Sequence, residues 1–561
     1  MSPLGALRRL EREKLVYGEG GSDRKRALLG VLARRALPRA GDVRRLHEVL
    51  CFLRAYPDDA ATLARVESML ASFARRPDLR RHRVRLEDSG IAGTDIPFRF
   101  FQPTASWLAR RHPSHLVIDW DSFKKSDRLV RWLPFLTHEA EVPGLDEYDM
   151  DAREWIEILR GPRETGAAFL IRRFDALRVD PFLREFLYDE LDPPMRLIPG
   201  PETPSRTTAR YARSPVVFQS RPLASARPDL LAELRRPPVA VREVPVRDGH
   251  ALIDLAREAM VTRSRDLDVF CWGDPRDVRL VDAGGGLQFA CIGAVPERRL
   301  LLESVYGFLT LKNGVPIGYV LCSALFGSSE IAYNVFETYR GAEAAPVYGR
   351  VLSMVRQLFG SDSFAIDPYQ VGHHNEEGIH SGAWWFYQKL GFRPTDPAPA
   401  RLMRRELARM ARRPESRSTP ATLRRLAESS LVLHTGRPRR DVMGIVSVAD
   451  VGLRASRYLA RRFGADRERA ARVLVREAAA RVGLRARGLA GFTPAERGAW
   501  ERWAPIVMMI PGIERWSPAA RRGLVSVVRA KGGRRESDFV RLFDAHRPLR
   551  RAVLRLARGS S

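Results

Sequence analysis

Side chains that could carry chemistry are concentrated between residues 334 and 392. Glu337 ends a predicted strand. A carboxylate there is a candidate general base that removes a proton from an amine or hydroxyl, the acceptor of a transferred group. The alternative is a surface carboxylate that pairs with Arg340. Tyr387 lies in the segment FYQKLGF at 386–392, and its phenol, with an ordinary pKa of about 10, is a candidate proton donor. The alternative for this segment is an aromatic helix that packs on a sheet and ends at Gly391.

A polar segment, DPYQVGHHNEEGIHSG at 367–382, separates these two groups. A polar loop beside the end of a strand is typical of a substrate-binding lip. Asn375 and His380 are therefore predicted to contact the acceptor. The neighbouring His373 and His374 match no zinc-ligand spacing, and no cysteine lies near them. We expect no metal at this segment.

The elements around these residues follow a recognisable order. Strands are predicted at 239–246, 287–292, 303–311, 316–325, 331–337 and 364–367, and helices at 250–263, 345–359 and 382–390. The Asn-Gly pair at 313–314 predicts a tight hairpin turn, and the three glycines at 284–286 predict another turn. The order predicts an α+β fold whose central mixed, mostly antiparallel sheet is flanked by helices.

The order of elements over 239–396, and two motifs within 330–393, resemble the GNAT acyltransferase superfamily. The helix ending in Tyr387-x-x-x-Gly391-Phe392 is similar to a late motif of that family, in which the tyrosine often protonates the leaving thiolate of coenzyme A. The resemblance implies an acyltransferase that uses acetyl-CoA or another acyl-CoA, with Tyr387 as the proton donor. The acceptor would be an amine or hydroxyl of a small molecule or a protein.

The segment 334–345 resembles the strand, pyrophosphate loop and helix start of the same family, written Arg/Gln-x-x-Gly-x-Gly/Ala. Such a loop directs backbone N–H groups at a pyrophosphate where a helix begins. In this resemblance the strand backbone holds the pantetheine, and the loop holds the pyrophosphate. The cofactor-binding residues that it implies are Val335, Phe336, Arg340, Gly341, Ala342 and Ala345.

Two residues depart from the family pattern. Glu343 occupies the central glycine position of the loop, where a carboxylate would repel phosphates. Asn375 stands twelve residues before Tyr387, whereas the family often places an asparagine seven or eight residues before its tyrosine; here His380 is found at that spacing. These departures keep a second hypothesis open, in which the chain is a non-catalytic binding or regulatory protein on a GNAT scaffold.

Charge is unevenly distributed along the chain. The 561 residues carry a net charge of +28, and residues 401–561 alone hold 38 basic and 14 acidic residues. An excess of arginine over lysine is typical of a GC-rich genome, but it does not explain why the arginines concentrate near the end. Three interpretations stay open for 401–561: solvated helix faces, contact with nucleic acid, and docking on an anionic membrane or an acidic partner.

Composition and periodicity predict five segments: a helical region at 1–85, a mixed region at 86–200, a Pro/Arg-rich linker at 201–238, the GNAT-like domain at 239–396, and an Arg-rich helical domain at 400–561. The apolar runs are too short for a bilayer-spanning helix of about 20 residues. The first 30 residues lack a continuous apolar signal core. Because the four cysteines form no CxxC pair, we expect no disulfide framework and a cytoplasmic location.

Overall fold

The computed structural model describes residues 1–18, 20–224 and 227–558. The chain forms two compact units, and each is assembled from separate stretches of sequence. The stretches of unit 1 are Met1–Leu223, Ala251–Trp272 and Lys312–Ile317, and those of unit 2 are Ala224–His250, Gly273–Leu311 and Gly318–Ser561.

Unit 1 is mainly helical and contains one small sheet. Its elements up to residue 223 are α1 (Pro3–Glu13), α2 (Gly21–Arg34), α3 (Ala40–Ala55), α4 (Ala60–Ala71), α5 (Pro77–Arg81), β1 (Ile96–Phe98), α6 (Gln102–Arg111), β2 (Leu116–Ile118), α7 (Ser126–Leu136), α8 (Val142–Glu147), α9 (Ala152–Leu159), α10 (Gly166–Asp175), α11 (Pro181–Leu191) and β3 (Met195–Leu197). The three strands form an antiparallel sheet in the order β1-β3-β2. The Asp59 side chain caps α4 by accepting a hydrogen bond from the Thr62 N–H, which satisfies one of the free donors at a helix start.

The following stretch supplies most of the large sheet. Its elements are α12 (Leu230–Arg235), β4 (Ala240–Glu243), α13 (Val246–Val261), α14 (Asp268–Cys271), β5 (Gly273–Gly284), β6 (Leu287–Ala294), β7 (Ser304–Lys312), β8 (Val315–Leu325), β9 (Ser328–Val335), α15 (Ala344–Phe359), β10 (Ser363–Ile366), α16 (Glu376–Ser381), α17 (Ala383–Lys389) and β11 (Arg393–Pro394).

The last part of the chain is helical except for one strand. Its elements are α18 (Pro397–Arg412), α19 (Pro420–Leu426), β12 (Leu431–His434), α20 (Ala449–Phe463), α21 (Arg467–Val482), α22 (Ala486–Ala490), α23 (Pro494–Met509), α24 (Pro518–Lys531), α25 (Glu536–Ala545) and α26 (Arg547–Arg558). The predicted α+β class, with a large mixed sheet flanked by helices and a helical C-terminal region, is confirmed.

The large sheet has nine strands in the order β11-β12-β10-β9-β8-β7-β6-β5-β4. The pairs β4–β5, β5–β6, β8–β9, β10–β12 and β11–β12 are antiparallel, whereas β9–β10 is parallel. Asn313 and Gly314, between β7 and β8, both have positive φ, as a tight hairpin turn with right-handed strand twist requires. The turns predicted at 284–286 and 313–314 are therefore confirmed.

Two strands of the large sheet were not predicted from the sequence. β5 was not predicted, because charged residues interrupt its pattern; two of them, Asp277 and Arg279, are buried. β12 was not predicted in a segment that was expected to be almost entirely helical.

A buried ionic cluster joins the sheet to the C-terminal helices within unit 2. The carboxylate of Asp277 accepts hydrogen bonds from the Tyr306 hydroxyl at 2.5 Å and from the Glu536 N–H at 3.2 Å. Lys531 Nζ donates to Glu536 Oε1 at 2.6 Å and to the Glu303 carbonyl at 2.8 Å. Lys531 and Glu536 are each 1% exposed, so neither charge is screened by water, and each depends on its partner.

Gly293 on β6 makes room for this cluster. A Cβ atom at that position would lie 2.2 Å from Asp277 Oδ2, closer than any real contact. Burial raises the pKa of Asp277 to about 6, and the nearby Arg279 guanidinium opposes the rise. Burial also lowers the pKa of Lys531. The cluster is a close-packed structural joint in which Asp277, Lys531 and Glu536 each make a hydrogen bond.

Candidate active site

β9 and β10 are paired along only part of their lengths. The parallel register runs from Ser328 opposite Ser363 to Glu330 opposite Ala365. β9 continues to Val335 and stays paired with β8 on its other side throughout. Beyond Glu330, the edge of β9 that faces β10 therefore has no pairing with that strand. We call residues 330–335 and 365–367 the β9–β10 fork.

Glu330 lies at the base of this fork. Its side chain is half-buried, and no hydrogen bond or ion pair is found for it within the described part of the chain. Burial, reinforced by the negative charges of Asp367 and Glu303, raises the pKa of Glu330 to about 7. A carboxylate that titrates near neutral pH, without a fixed partner, is suited to general-base catalysis.

Tyr387 belongs to an aromatic cluster on α15, α17 and β9. Its ring lies 5.5 Å from that of Tyr348, which lies 5.2 Å from the ring of Tyr333. Tyr387 is 4% exposed. Burial raises its pKa, and a hydrogen bond from the backbone of Tyr333 opposes the rise. Tyr387 is thus a neutral phenol next to the part of β9 that β10 does not pair, and its raised pKa makes it a weaker acid than a free phenol.

Glu330 and the Tyr387 cluster approach β9 from opposite sides. Side chains alternate along a strand, and Tyr333, three residues after Glu330, therefore leaves the other face of β9. Tyr333 is the strand residue whose ring and backbone contact the cluster. A group held in the fork would have the carboxylate on one face of the sheet and the phenol on the other.

The loop after β9 brings together the residues that the resemblance assigned to coenzyme binding. Val335 ends β9, Phe336 packs against Tyr319 with ring centroids 6.1 Å apart, and Ala342 is buried. Gly341 has a φ of +86° and open space beside it. Ala345 lies in the first turn of α15, directly after Ala344. The predicted succession of strand end, loop and helix start is present.

Arg340 is held by neighbouring groups in this loop. Its Nε donates to the Val335 carbonyl at 3.2 Å, and its Nη2 donates to Glu377 Oε1 at 2.7 Å. Glu343 is the residue that directly precedes α15. Both Arg340 and Glu377 are about half exposed, and an exposed ion pair of this kind contributes little free energy. A stronger anion could therefore replace Glu377 as the partner of Arg340.

Glu337 lies in a short 3-10 turn, Glu337–Tyr339, after the end of β9, and it is exposed. Its predicted role as base stays a prediction. Glu330 was missed because the strand was predicted to begin at residue 331, which left this carboxylate in a turn. The signal that could have found it is the acidic residue inside a run of β-forming and small residues, SSEIAYNV at 328–335.

The predicted acceptor residues lie in the loop and helix between β10 and α17. Asn375 caps α16, because its Oδ1 accepts from the Gly378 N–H and its Nδ2 donates to the Tyr369 carbonyl. His380 is exposed, with Nδ1 2.7 Å from the Glu376 carbonyl. These contacts organise the loop, and the predicted contacts with an acceptor stay a prediction. Within 1–18, 20–224 and 227–558, no three His, Cys, Asp or Glu side chains are grouped as metal ligands.

A cavity of about 900 Å³ borders β12 and the loop that follows it. Val432 of β12 lies opposite Ala365 of β10, which lies opposite Glu330 of β9. Residues in register on neighbouring strands share a face of the sheet, so Val432 and Glu330 lie on the same face, two strand spacings or about 10 Å apart. The polar residues that line the cavity are Arg393, Thr395, Asp396, Glu428, Ser429, Ser430, His434, Arg439 and Arg440.

Comparisons with protein-family models, with curated proteins and with solved structures gave no match to this chain. Over the residues that the structure describes, none of the helices combines the length and the apolar character that crossing a bilayer requires. The resemblance to GNAT acyltransferases therefore stays a prediction, and the function is argued from the fork itself.

Proposed function

We propose that this chain is an acyltransferase that moves an acyl group from acyl-CoA to an amine or hydroxyl acceptor at the β9–β10 fork. The observation that carries the proposal is Glu330, a half-buried carboxylate with a pKa of about 7 where the parallel pairing of β9 with β10 ends. The order of elements also supports it. Two helices lie between the first two strands of the sheet, one helix connects β9 to β10, and another helix follows β10.

The chemistry assigns one proton transfer to each face of the sheet. Glu330 removes a proton from the acceptor nitrogen or oxygen, which attacks the thioester carbonyl. The tetrahedral intermediate then breaks its carbon–sulfur bond, and Tyr387 gives its phenolic proton to the departing thiolate. The phenol regains a proton from solvent, and Glu330 releases its proton to solvent. A base whose pKa lies near the working pH is the most effective in such a step.

The coenzyme part of the substrate would run along the fork. The Tyr333 backbone already bonds the Tyr387 hydroxyl, and the Val335 carbonyl already accepts from Arg340. The amides of pantetheine would therefore bond other backbone groups of 331–335 or displace these partners, as another strand would. The N–H groups of Ala344 and Ala345 at the start of α15 attract a pyrophosphate, and Arg340 can exchange Glu377 for a phosphate. The cavity that borders β12 would hold a polar acceptor, which is a small molecule or an exposed protein side chain.

Titration of the whole protein with acetyl-CoA and with a longer acyl-CoA in a calorimeter tests the proposal. We expect micromolar binding that weakens about tenfold in Arg340→Ala, the loss of one charge-assisted contact. Arg424→Ala is the matched control, because Arg424 is also an exposed arginine paired with a glutamate of α16, namely Glu376. Equal losses in the two variants, or no binding by the folded wild type, would contradict the proposed coenzyme site.

The second candidate is a binding or regulatory protein that retains the scaffold without catalysis. Glu343 favours it, because its carboxylate directly precedes α15, where the pyrophosphate would lie. In that case Glu343→Gly should create acyl-CoA binding that the wild type lacks. In the acyltransferase hypothesis the same substitution changes affinity by less than about tenfold. The titration with both proteins therefore separates the two hypotheses.

A further inference from the structure

A second cavity, of about 490 Å³, lies on α26 in unit 2 and is separate from the fork. Its volume falls in the range of sites that bind small molecules. The residues that line it are Trp516, Pro548, Arg551, Leu554, Arg555 and Arg558. Half of them are arginines, and the others are one indole and two apolar side chains.

The three arginines lie on one face of α26, because residues three and four apart on a helix are neighbours. All three are exposed. No hydrogen bond or ion pair is found for them among residues 1–18, 20–224 and 227–558. Glu514, an acidic residue two positions before Trp516, is paired with Arg481 at 3.2 Å. Like charges on one helix face repel one another. A bound anion would reduce this electrostatic repulsion between the three arginines.

Trp516 supplies a flat apolar surface in the same cavity. It is partly exposed, and its ring centroid lies 5.7 Å from that of His546. Its indole N–H has no hydrogen-bond partner in the described chain. An indole face next to guanidinium groups provides both stacking and cation attraction for a planar ring that carries phosphate.

We propose that this cavity binds one nucleotide unit of a single-stranded nucleic acid, with its base against Trp516 and its phosphates on Arg551, Arg555 and Arg558. Arginine forks match the geometry of phosphate oxygens. A duplex keeps its bases stacked inside and offers none to Trp516. A lipid surface takes up apolar side chains that project outward, whereas here the apolar groups line a concavity. The surrounding charge of residues 401–561 strengthens the attraction.

Fluorescence anisotropy of a labelled twelve-nucleotide single strand with the whole protein tests this proposal at several salt concentrations. We expect salt-sensitive binding that weakens at least about thirtyfold when Arg551, Arg555 and Arg558 are all changed to Gln. The slope of log affinity against log salt should become shallower by about 1.4 at most, since one nucleotide unit is flanked by two phosphates and each phosphate contact on a single strand contributes about 0.7. Trp516→Ala should cost about tenfold, the loss of one stacked base.

The matched control is the triple substitution of Arg401, Arg405 and Arg412 to Gln on α18. These arginines are also exposed, and their substitution removes the same net charge. Because they do not line the cavity, the control triple substitution should change affinity less than threefold. Equal losses in the two triple variants would overturn the site and leave only a diffuse charge effect. Equal affinity for a duplex, or binding of a free nucleotide but not of the strand, would also overturn the proposal. Thermal melting of each variant confirms that it is folded.

Discussion

The proposed chemistry depends on Glu330. Its carboxyl group must be ionised before it can remove a proton from the amine or hydroxyl substrate. With its pKa at about 7, the rate at saturating acyl-CoA should rise with pH and level off above about pH 8. Glu330→Gln should lower kcat/KM at least about 100-fold, the usual contribution of a general base, and abolish this rise. If Glu337→Gln has that effect instead, the base predicted from the sequence is the correct one.

The raised pKa of Glu330 also has a consequence for stability that needs no substrate. The pKa of Glu330 is about 7 in the folded state and about 4.5 in the unfolded state. Between these two pH values the free energy of unfolding therefore falls as pH rises. Glutamine resembles the protonated form at every pH. Glu330→Gln should therefore melt at a higher temperature than the wild type at pH 8, and the difference should shrink by pH 5. An equal difference at both pH values would show that the pKa is not raised.

Tyr387 has a separate test, since its hydroxyl can be removed with little loss of packing. Tyr387→Phe should leave the KM for acyl-CoA unchanged and lower kcat at least about tenfold, as expected for loss of a general acid. The loss should be smaller for an acyl donor whose leaving thiol has a lower pKa, because that thiolate needs no proton. A uniform loss for both donors would assign Tyr387 a structural role in the aromatic cluster.

At the scale of elements, the strongest expected effect on stability comes from the joint between β7 and the helices α24 and α25. Lys531→Met leaves the buried Glu536 carboxylate without its partner and should destabilise the protein by about 3–5 kcal/mol. Arg529→Met, two residues earlier, breaks a more exposed pair with Glu496 and should cost less than about 1 kcal/mol. Urea unfolding measures both. Equal midpoints would show that Lys531 is not charged in the fold.

Most elements with regular apolar spacing could be predicted from the sequence, and so could the two tight turns. β5 could not, because buried pairs such as Asp277 with Tyr306 place charged residues where a half-buried strand would carry apolar ones. Only one part of the site could be predicted from the sequence, namely the loop after Val335, because that loop follows a local motif. The position and raised pKa of Glu330 depend on Ala365 of β10 and on Asp367, which directly follows β10. Charges that act across strands leave no periodic signal in sequence.

At the scale of the whole molecule, the compact units do not follow the changes in composition along the chain. Ala251–Trp272 belongs to unit 1 together with Met1–Leu223. Within that unit, Trp107 Nε1 donates to Asp254 at 3.0 Å, and the Phe101 N–H donates to Asp266 at 2.9 Å. The five predicted segments stay a prediction about composition. The contacts show why a cut in the linker should not release a complete folding unit.

A set of fragments tests this organisation directly. Fragment 1–223 lacks Asp254, Asp266 and the core residue Val261, so it should unfold with low cooperativity. Fragment 1–272 restores these contacts and should unfold in one steeper transition at higher urea. Fragment 1–250 is the control, since it adds chain length without them, and it should behave like 1–223. Helicity and tryptophan fluorescence, followed together in urea, distinguish the cases, because coincident curves indicate a single cooperative unit. Identical midpoints for 1–223 and 1–272 would mean that residues 251–272 contribute nothing to the stability of unit 1.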